Sequence, residues 1–143
     1  MAVDTDILAI HHIFIWDQRR DVNEKLFEAV KGKACTTIHN LLELCGLFAI
    51  AELASKVEEV EDKYLRGKEF VIVFSGYHGD WGEYVSSVTE YIKRGLSYGD
   101  AIIVEALEQS DIETFITWNR KHLDGKLNIK LVTPEEYLKL HAG

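Results

Sequence analysis

The chain has 143 residues, enough for one domain with a sizeable hydrophobic core and too few for two ordinary domains. Its formal net charge of −8 disfavours nucleic-acid binding by overall electrostatic attraction. It contains no apolar run of about 18 residues and no basic segment followed by a cleavable apolar stretch, so we expect neither a membrane span nor a leader. We therefore expect a single cytoplasmic domain over residues 1–143, with no membrane attachment.

The opening segment, residues 2–8, carries two carboxylates within an apolar run. As a short strand it would place Asp4 and Asp6 on the same side, because side chains alternate across a strand. Two like charges so close together raise at least one pKa unless hydrogen-bond donors or a cation compensate. In the alternative reading, Asp6 is the N-cap of a first helix and Asp4 is a loop carboxylate.

Two helices and a strand are predicted next. Apolar residues recur at helical spacing over residues 7–16 and again over residues 22–30. We expect His11 and His12 to be partly buried and hydrogen-bonded, with metal ligation as the alternative. Residues 34–38 are small and β-prone, which predicts a second strand.

A long apolar helix is predicted over residues 41–51, and Glu43 is its only ionisable side chain. Either Glu43 forms a capping arrangement with Asn40, three residues earlier, or it is a costly carboxylate in the first turn of a buried helix. Cys35 and Cys45 lack zinc-type spacing, so we expect both to be reduced core thiols.

The middle of the chain predicts a solvated helix and turn over residues 52–69 and the clearest buried strand over residues 70–74. A glycine-containing loop over residues 75–82 lacks a phosphate-binding motif. An amphipathic helix follows over residues 84–93. Its predicted inward residues are Val85, Val88, Tyr91 and Ile92.

The segment 97–107 repeats the pattern around Glu43, because Asp100 stands in the first turn of an otherwise apolar helix, three residues after a Ser. Strands are predicted over residues 112–117 and 129–132. Thr133 followed by Pro134 is typical of a helix start, which explains Glu136 as a capping residue.

Strands that alternate with helices predict an α/β domain with a mostly parallel sheet of four to five strands. In such sheets the ligand crevice lies beyond the carboxyl ends of the strands. The acids and polar residues predicted near this edge are Asp4, Glu43, Asp100, Thr117 and Asn119. Their positions are consistent with one shared pocket.

From about residue 2 to residue 138, the sequence resembles the PIN domain, the fold of many metal-dependent ribonucleases, including VapC-like toxins. The segments that carry the resemblance are V-D-T-D-I-L, T-T-I-H-N-L-L-E-L, S-Y-G-D-A-I-I-V-E-A-L, F-I-T-W-N-R-K-H-L and V-T-P-E-E-Y-L. The resemblance implies a three-layer α/β/α sandwich. It also implies hydrolysis of RNA phosphodiester bonds by an endoribonuclease.

Carried over by position, the resemblance makes Asp4, Glu43 and Asp100 the ligands of Mg²⁺ or Mn²⁺. Thr117 and Asn119 complete the implied catalytic set, although many members have an acid where this chain has Asn119. An amide can orient a water but carries no charge, so a second metal and vigorous catalysis are both in question.

The resemblance further implies RNA as substrate, an antitoxin protein as partner if the chain is the toxin of a type II toxin-antitoxin pair, and a homodimer. Basic residues such as Arg19, Arg120 and Lys121 are candidates for phosphate contacts. Two other functions compete with the nuclease. The domain could be a catalytically weakened RNA- or protein-binding module, or a haloacid dehalogenase-type phosphatase with Asp4 as nucleophile. The phosphatase leaves Glu43 and Asp100 unexplained.

Overall fold

Five short parallel strands form one sheet in this computed structural model, which describes residues 1–142. The strands are β1 (Ala2–Val3), β2 (Cys35–Thr37), β3 (Val71–Val73), β4 (Thr114–Ile116) and β5 (Lys130–Val132). Their order across the sheet is β3-β2-β1-β4-β5, so the first strand of the chain is central. Gly143, the last residue of the predicted domain, lies outside the described residues.

Helices cover both faces of this sheet. They are α1 (Thr5–His12), α2 (Arg20–Val30), α3 (Ile38–Ile50), α4 (Val57–Arg66), α5 (Trp81–Lys93), α6 (Tyr98–Gln109), α7 (Arg120–Leu123) and α8 (Pro134–Leu140), with a 3₁₀ turn at Ala54–Lys56. The predicted three-layer α/β/α fold with a parallel sheet is confirmed, because every strand pairing is parallel.

Two apolar cores lie on opposite faces of the sheet. Consecutive residues of β1 point to different cores, because side chains alternate along a strand. Val3 packs with side chains of α1, α2, α3 and α4, whereas Ala2 packs with those of α5 and α6. Within the described range, no helix is both long enough and apolar enough to cross a bilayer.

The first strand is shorter than predicted, and the first helix begins and ends earlier. The strand ends at Val3, and Asp4 is the N-cap of α1, accepting a hydrogen bond from the Thr5 N–H at 2.8 Å. Asp6 lies in the first helical turn. Asp4 and Asp6 therefore do not share the face of a strand, and the alternative that made Asp6 the cap is also wrong.

Helix α3 begins three residues before its predicted start, which changes the position of Glu43. Thr37 is the N-cap and forms a capping box with Asn40. Glu43 is therefore not a capping partner of Asn40, and it is exposed rather than buried. The helix buries one face, since Leu42 and Ile50 are 59% and 81% exposed. Both alternatives for Glu43, the capping partner of Asn40 and the buried carboxylate, are therefore wrong.

The predicted buried strand at residues 70–74 lies at the edge of the sheet. Val71 is 68% exposed and Phe74 is 63% exposed, because β3 has a neighbour on one side alone. Helix α5 departs from its prediction in the same region. Val88 and Tyr91 point inward as expected, whereas Val85 and Ile92 are exposed.

Several local predictions are confirmed. His11 contacts Glu24 at 2.6 Å and His12 contacts the Tyr64 hydroxyl at 2.7 Å. Both histidines are therefore partly buried and hydrogen-bonded, as predicted. Cys35 and Cys45 are free thiols, the first buried and the second half-buried. Helix α8 begins with Thr133 as cap, Pro134 next and Glu136 completing the capping box.

Candidate active site

Asp4 and Thr117 lie side by side at the carboxyl ends of the two central strands. Val3 pairs with Ile116 across β1 and β4, and the Asp4 N–H donates to the Ile116 carbonyl at 3.0 Å. Both strands end at this pair, and Asp4 and Thr117 are the residues that follow, so the sheet register holds these two polar side chains together. This edge is where parallel α/β sheets hold their ligands.

Three donors hold the half-buried carboxylate of Asp4. Its Oδ1 accepts from the Thr5 N–H at 2.8 Å and from Asn40 Nδ2 at 3.1 Å. Its Oδ2 accepts from the Thr117 hydroxyl at 2.8 Å. These donors come from α1, α3 and the end of β4, so the orientation of Asp4 depends on three separate elements.

Asp6 shares the Thr117 hydroxyl with Asp4 but is less well satisfied. Its Oδ2 accepts from the Trp118 N–H at 2.9 Å and lies 3.1 Å from Thr117 Oγ1. Because a threonine hydroxyl has one proton, Thr117 can donate to one of the two acids at a time. Asp6 Oδ1 is buried with no hydrogen-bond partner.

Burial raises the pKa of both acids, and neighbouring negative charges add to this effect for Asp4. Burial raises the pKa of Asp4 well above its usual range, and the charges of Asp6 and Glu43 raise it further. Burial likewise raises the pKa of Asp6 to about 6, against the hydrogen bonds from Thr117 and the Trp118 N–H that lower it. Donors at the end of β4 therefore compensate these carboxylates in part.

The other predicted site residues surround the same cavity. It has a volume of about 450 Å³, and its walls include Asp4, Asp6, Glu43, Asp100 and Asn119. Glu43 Oε2 lies 3.6 Å from the point that a Cβ on Gly99 would occupy, so it faces the first turn of α6. A helix N-terminus favours a negative charge placed there.

Asp100 and Thr117 reach the site in different ways. The Asp100 N–H donates to the Ser97 hydroxyl at 3.2 Å, which caps α6 and leaves the half-buried Asp100 side chain at the cavity wall. Thr117 is fully buried beneath the acids and also accepts from the Asn119 N–H at 3.0 Å. Thr117 therefore supports the carboxylates by hydrogen bonding and does not line the cavity.

The donor set fits a hard divalent cation. Within residues 1–142, no three His, Cys, Asp or Glu side chains converge closely enough to enclose an ion by themselves. Mg²⁺ does not need such a cage, because it usually keeps several waters and binds through one or two carboxylates. The unpartnered oxygen of Asp6 and the mutual repulsion of the acids are the observations that a cation would relieve.

Sequence reasoning left two residues out of the site. Asp6 was paired with Asp4 by its spacing, and that spacing was the signal that pointed to it. Asn40, buried at the start of α3, also donates to the Thr5 hydroxyl at 2.8 Å and so ties α3 to α1. Nothing in the local sequence distinguishes this contact from an ordinary helix-capping role.

Comparisons with known proteins identify the fold and no family. No protein-family model matches the sequence, and no significant match was found among curated proteins. Among solved structures, the fold is similar to a toxin-antitoxin complex from Klebsiella pneumoniae, with a TM-score of 0.61 and 21% identity. The alignment covers 94% of this chain and 98% of that chain. At this identity the likeness concerns the fold alone.

Proposed function

We propose that the protein is a Mg²⁺- or Mn²⁺-dependent endoribonuclease of the PIN type. The observation that carries the proposal is the single cavity at the carboxyl edge of the sheet, lined by Asp4, Asp6, Glu43 and Asp100. Carboxylate oxygens are preferred ligands of both ions. When bound, such an ion lowers the pKa of a water nucleophile and stabilises negative charge on a phosphate.

Residues around the cavity orient its carboxylates and shape its wall. Thr117 and Asn40 hold the Asp4 carboxylate from opposite sides, so its oxygens keep one orientation toward the cavity. Asn119 stands exposed at the cavity wall, where its amide can orient a water or a sugar hydroxyl. Phe14 and Leu47 add apolar wall, which lowers the local dielectric and strengthens the electrostatic contacts of the acids.

Cleavage and metal binding together test this assignment. Purified protein with Mn²⁺ or Mg²⁺ should cleave RNA, and Asp4→Asn or Asp100→Asn should abolish cleavage and weaken Mn²⁺ binding in a calorimetric titration. Asp21→Asn, which removes one exposed carboxylate at the start of α2, is the matched control. If either site variant cleaves as fast as the parent protein, the active site is misassigned.

Asn119 favours a second candidate, a domain that keeps the cavity but has weak catalysis. An acid at this position would add a charge to the cation site, whereas the amide adds none. Absence of cleavage across RNA substrates and both metals, combined with measurable RNA affinity, would support the binding module instead.

We further propose that the protein is the toxin of a toxin-antitoxin pair; the similarity of its fold to a toxin-antitoxin complex, at 21% identity, supports a part in such a pair. Expression of the protein alone should then arrest growth of its host, and Asp100→Asn should remove that effect. Co-expression with the product of an adjacent small reading frame should restore growth and yield a purified complex. Normal growth with the parent protein would contradict the toxin role.

The expected homodimer has a suitable surface between α5 and α6. A groove of about 550 Å³ there is lined by aromatic, aliphatic and neutral polar side chains, including the exposed Trp81, Val85 and Tyr98. Two copies that each carry a net charge of −8 repel elsewhere, so an uncharged face is where they can approach. Light scattering should give twice the mass of 16.3 kDa, and Val85→Glu should give the monomer.

A further inference from the structure

Arg19 is a basic residue fixed at the wall of an acidic cavity. It precedes α2, and its side chain lines the cavity together with Asp6, Glu43 and Asp100. Each of the other charged side chains in the described cavity wall is an acid. A cation site alone does not call for an arginine, which would compete with the metal for the same carboxylates.

The guanidinium is held from two sides by groups outside the acid cluster. Arg19 Nε donates to Asp17 Oδ1 at 3.0 Å, and Nη2 donates to Asp17 Oδ2 at 2.9 Å. The backbone N–H of Arg19 donates to the same carboxylate at 2.8 Å. The guanidinium carbon also lies 5.4 Å from the centre of the Trp118 ring, within the range of a cation–π contact.

This arrangement leaves the remaining donors of Arg19 available. A guanidinium carries five N–H groups in a fixed fork, and Asp17 uses two of them. Within residues 1–142, Nη1 makes no side-chain hydrogen bond. Asp17 orients the guanidinium through two hydrogen bonds, so the free edge of the fork is preorganised for a second anion.

The other basic candidates lack this combination. Arg120 is ion-paired with Glu136, and Lys121 is exposed on α7 and is not part of the cavity wall. A phosphodiester bound at a carboxylate-held metal presents oxygens that need a cation and oxygens that can accept N–H donors. Arg19 supplies such donors beside the acids.

We infer that Arg19, braced by Asp17 and Trp118, binds a phosphate oxygen of the RNA strand that enters the cavity. The inference rests on the proposed nuclease function and names the residue that positions its substrate. The fork geometry is part of the claim, so a lysine in place of Arg19 is a poor substitute.

Fluorescence anisotropy with a labelled single-stranded RNA and Mn²⁺ tests the inference. Every protein in this assay is the full chain with Asp100→Asn, which prevents cleavage from obscuring binding. Arg19→Gln should weaken RNA binding by about tenfold or more, because a charge-assisted hydrogen bond is lost. It should also reduce the slope of log affinity against log salt by about 0.7. Arg66→Gln removes an exposed arginine on α4 as the matched control and should change affinity less than about twofold.

The variant Asp17→Asn distinguishes two explanations of RNA binding: orientation of the Arg19 guanidinium by Asp17, and attraction by the positive charge of Arg19 alone. If bracing matters, this variant weakens RNA binding even though it removes a negative charge. Tighter binding by Asp17→Asn, or equal binding by Arg19→Gln and the control, overturns the inference.

Cleavage by proteins with Asp100 intact distinguishes the two proposals. RNA binding that depends on Arg19 without any metal-dependent cleavage would refute the nuclease and leave the phosphate contact standing. Cleavage by Arg19→Gln with unchanged KM and kcat would refute the contact and leave the nuclease standing. A contact made instead to an acidic segment of a protein partner would appear as loss of partner affinity, with RNA affinity unchanged, in Arg19→Gln.

Discussion

In the metal-free protein, the free energy of unfolding should decrease as the pH rises. Replacing Asp6 by asparagine should make this decrease smaller. The folded state raises the pKa of Asp6 from 3.8 to about 6. Between these values the folded chain binds more protons than the unfolded chain, so the free energy of unfolding decreases with increasing pH. The full loss is present above about pH 6 and corresponds to about 3 kcal/mol for this shift.

The comparison is between two pH values, so constant effects of the substitution cancel. The introduced amide keeps an oxygen for the Trp118 N–H, and whatever its NH₂ group costs in the buried position is the same at both pH values. Removal of the Asp6 charge also removes one of the causes that raise the pKa of Asp4. The pH dependence of the variant should therefore be smaller on both counts.

Urea unfolding in the presence of a chelator provides the measurement, at about pH 4 and about pH 8. The parent protein should lose about 2.5 kcal/mol more than Asp6→Asn between these values, since part of the full loss has already occurred at about pH 4. Asp21→Asn controls for the loss of one carboxylate at an exposed position. If the parent and Asp6→Asn lose the same amount within about 0.5 kcal/mol, the electrostatic account of the site is refuted.

Three further predictions concern two residues at the acidic cavity and one buried acid elsewhere in α6. Asn119→Asp adds a charge at the cavity wall and should tighten Mn²⁺ binding by about fivefold or more, measured by calorimetry; weaker or equal binding would contradict it. Thr117→Val removes the hydroxyl that lowers the pKa of both acids, so the pH at which Mn²⁺ binds should rise; an unshifted profile would count against this role. Burial raises the pKa of Glu105, which is 2% exposed, so Glu105→Gln should gain stability relative to the parent as the pH rises above about 4.5; parallel urea curves would refute this.

The sequence was sufficient for the order of the main strands and helices, the parallel sheet and the edge at which the polar residues meet, but it did not predict the short helix α7. The last helix shows why: the Thr133 cap, Pro134 and Glu136 interact within four residues, and local sequence contains all of that information. The predicted site residues also reached one edge, because chain order and right-handed crossovers restrict where parallel strands can end.

Helix starts and strand burial were less predictable, for different reasons. Thr37 with Asn40 and Asn40 with Glu43 both have capping-box spacing, and the choice depends on where β2 ends. The apolar sequence of residues 70–74 is typical of a buried strand, yet β3 lies at the sheet edge. Strand order is a property of the whole chain, so no local pattern distinguishes an edge position here from a central one.

The two acids at the end of β1 are difficult to explain by folding alone. Asp4 caps α1, but Ser, Thr or Asn would cap it without placing a charge in a half-buried position. Asp6 accepts one bond from the Trp118 N–H, which an amide oxygen would accept equally well, and its other oxygen has no partner. A pair of mutually repelling carboxylates thus lowers the stability of the folded chain at the centre of its sheet. A ligand that compensates the charges removes this penalty, and a divalent cation does so with the oxygen chemistry that these residues supply.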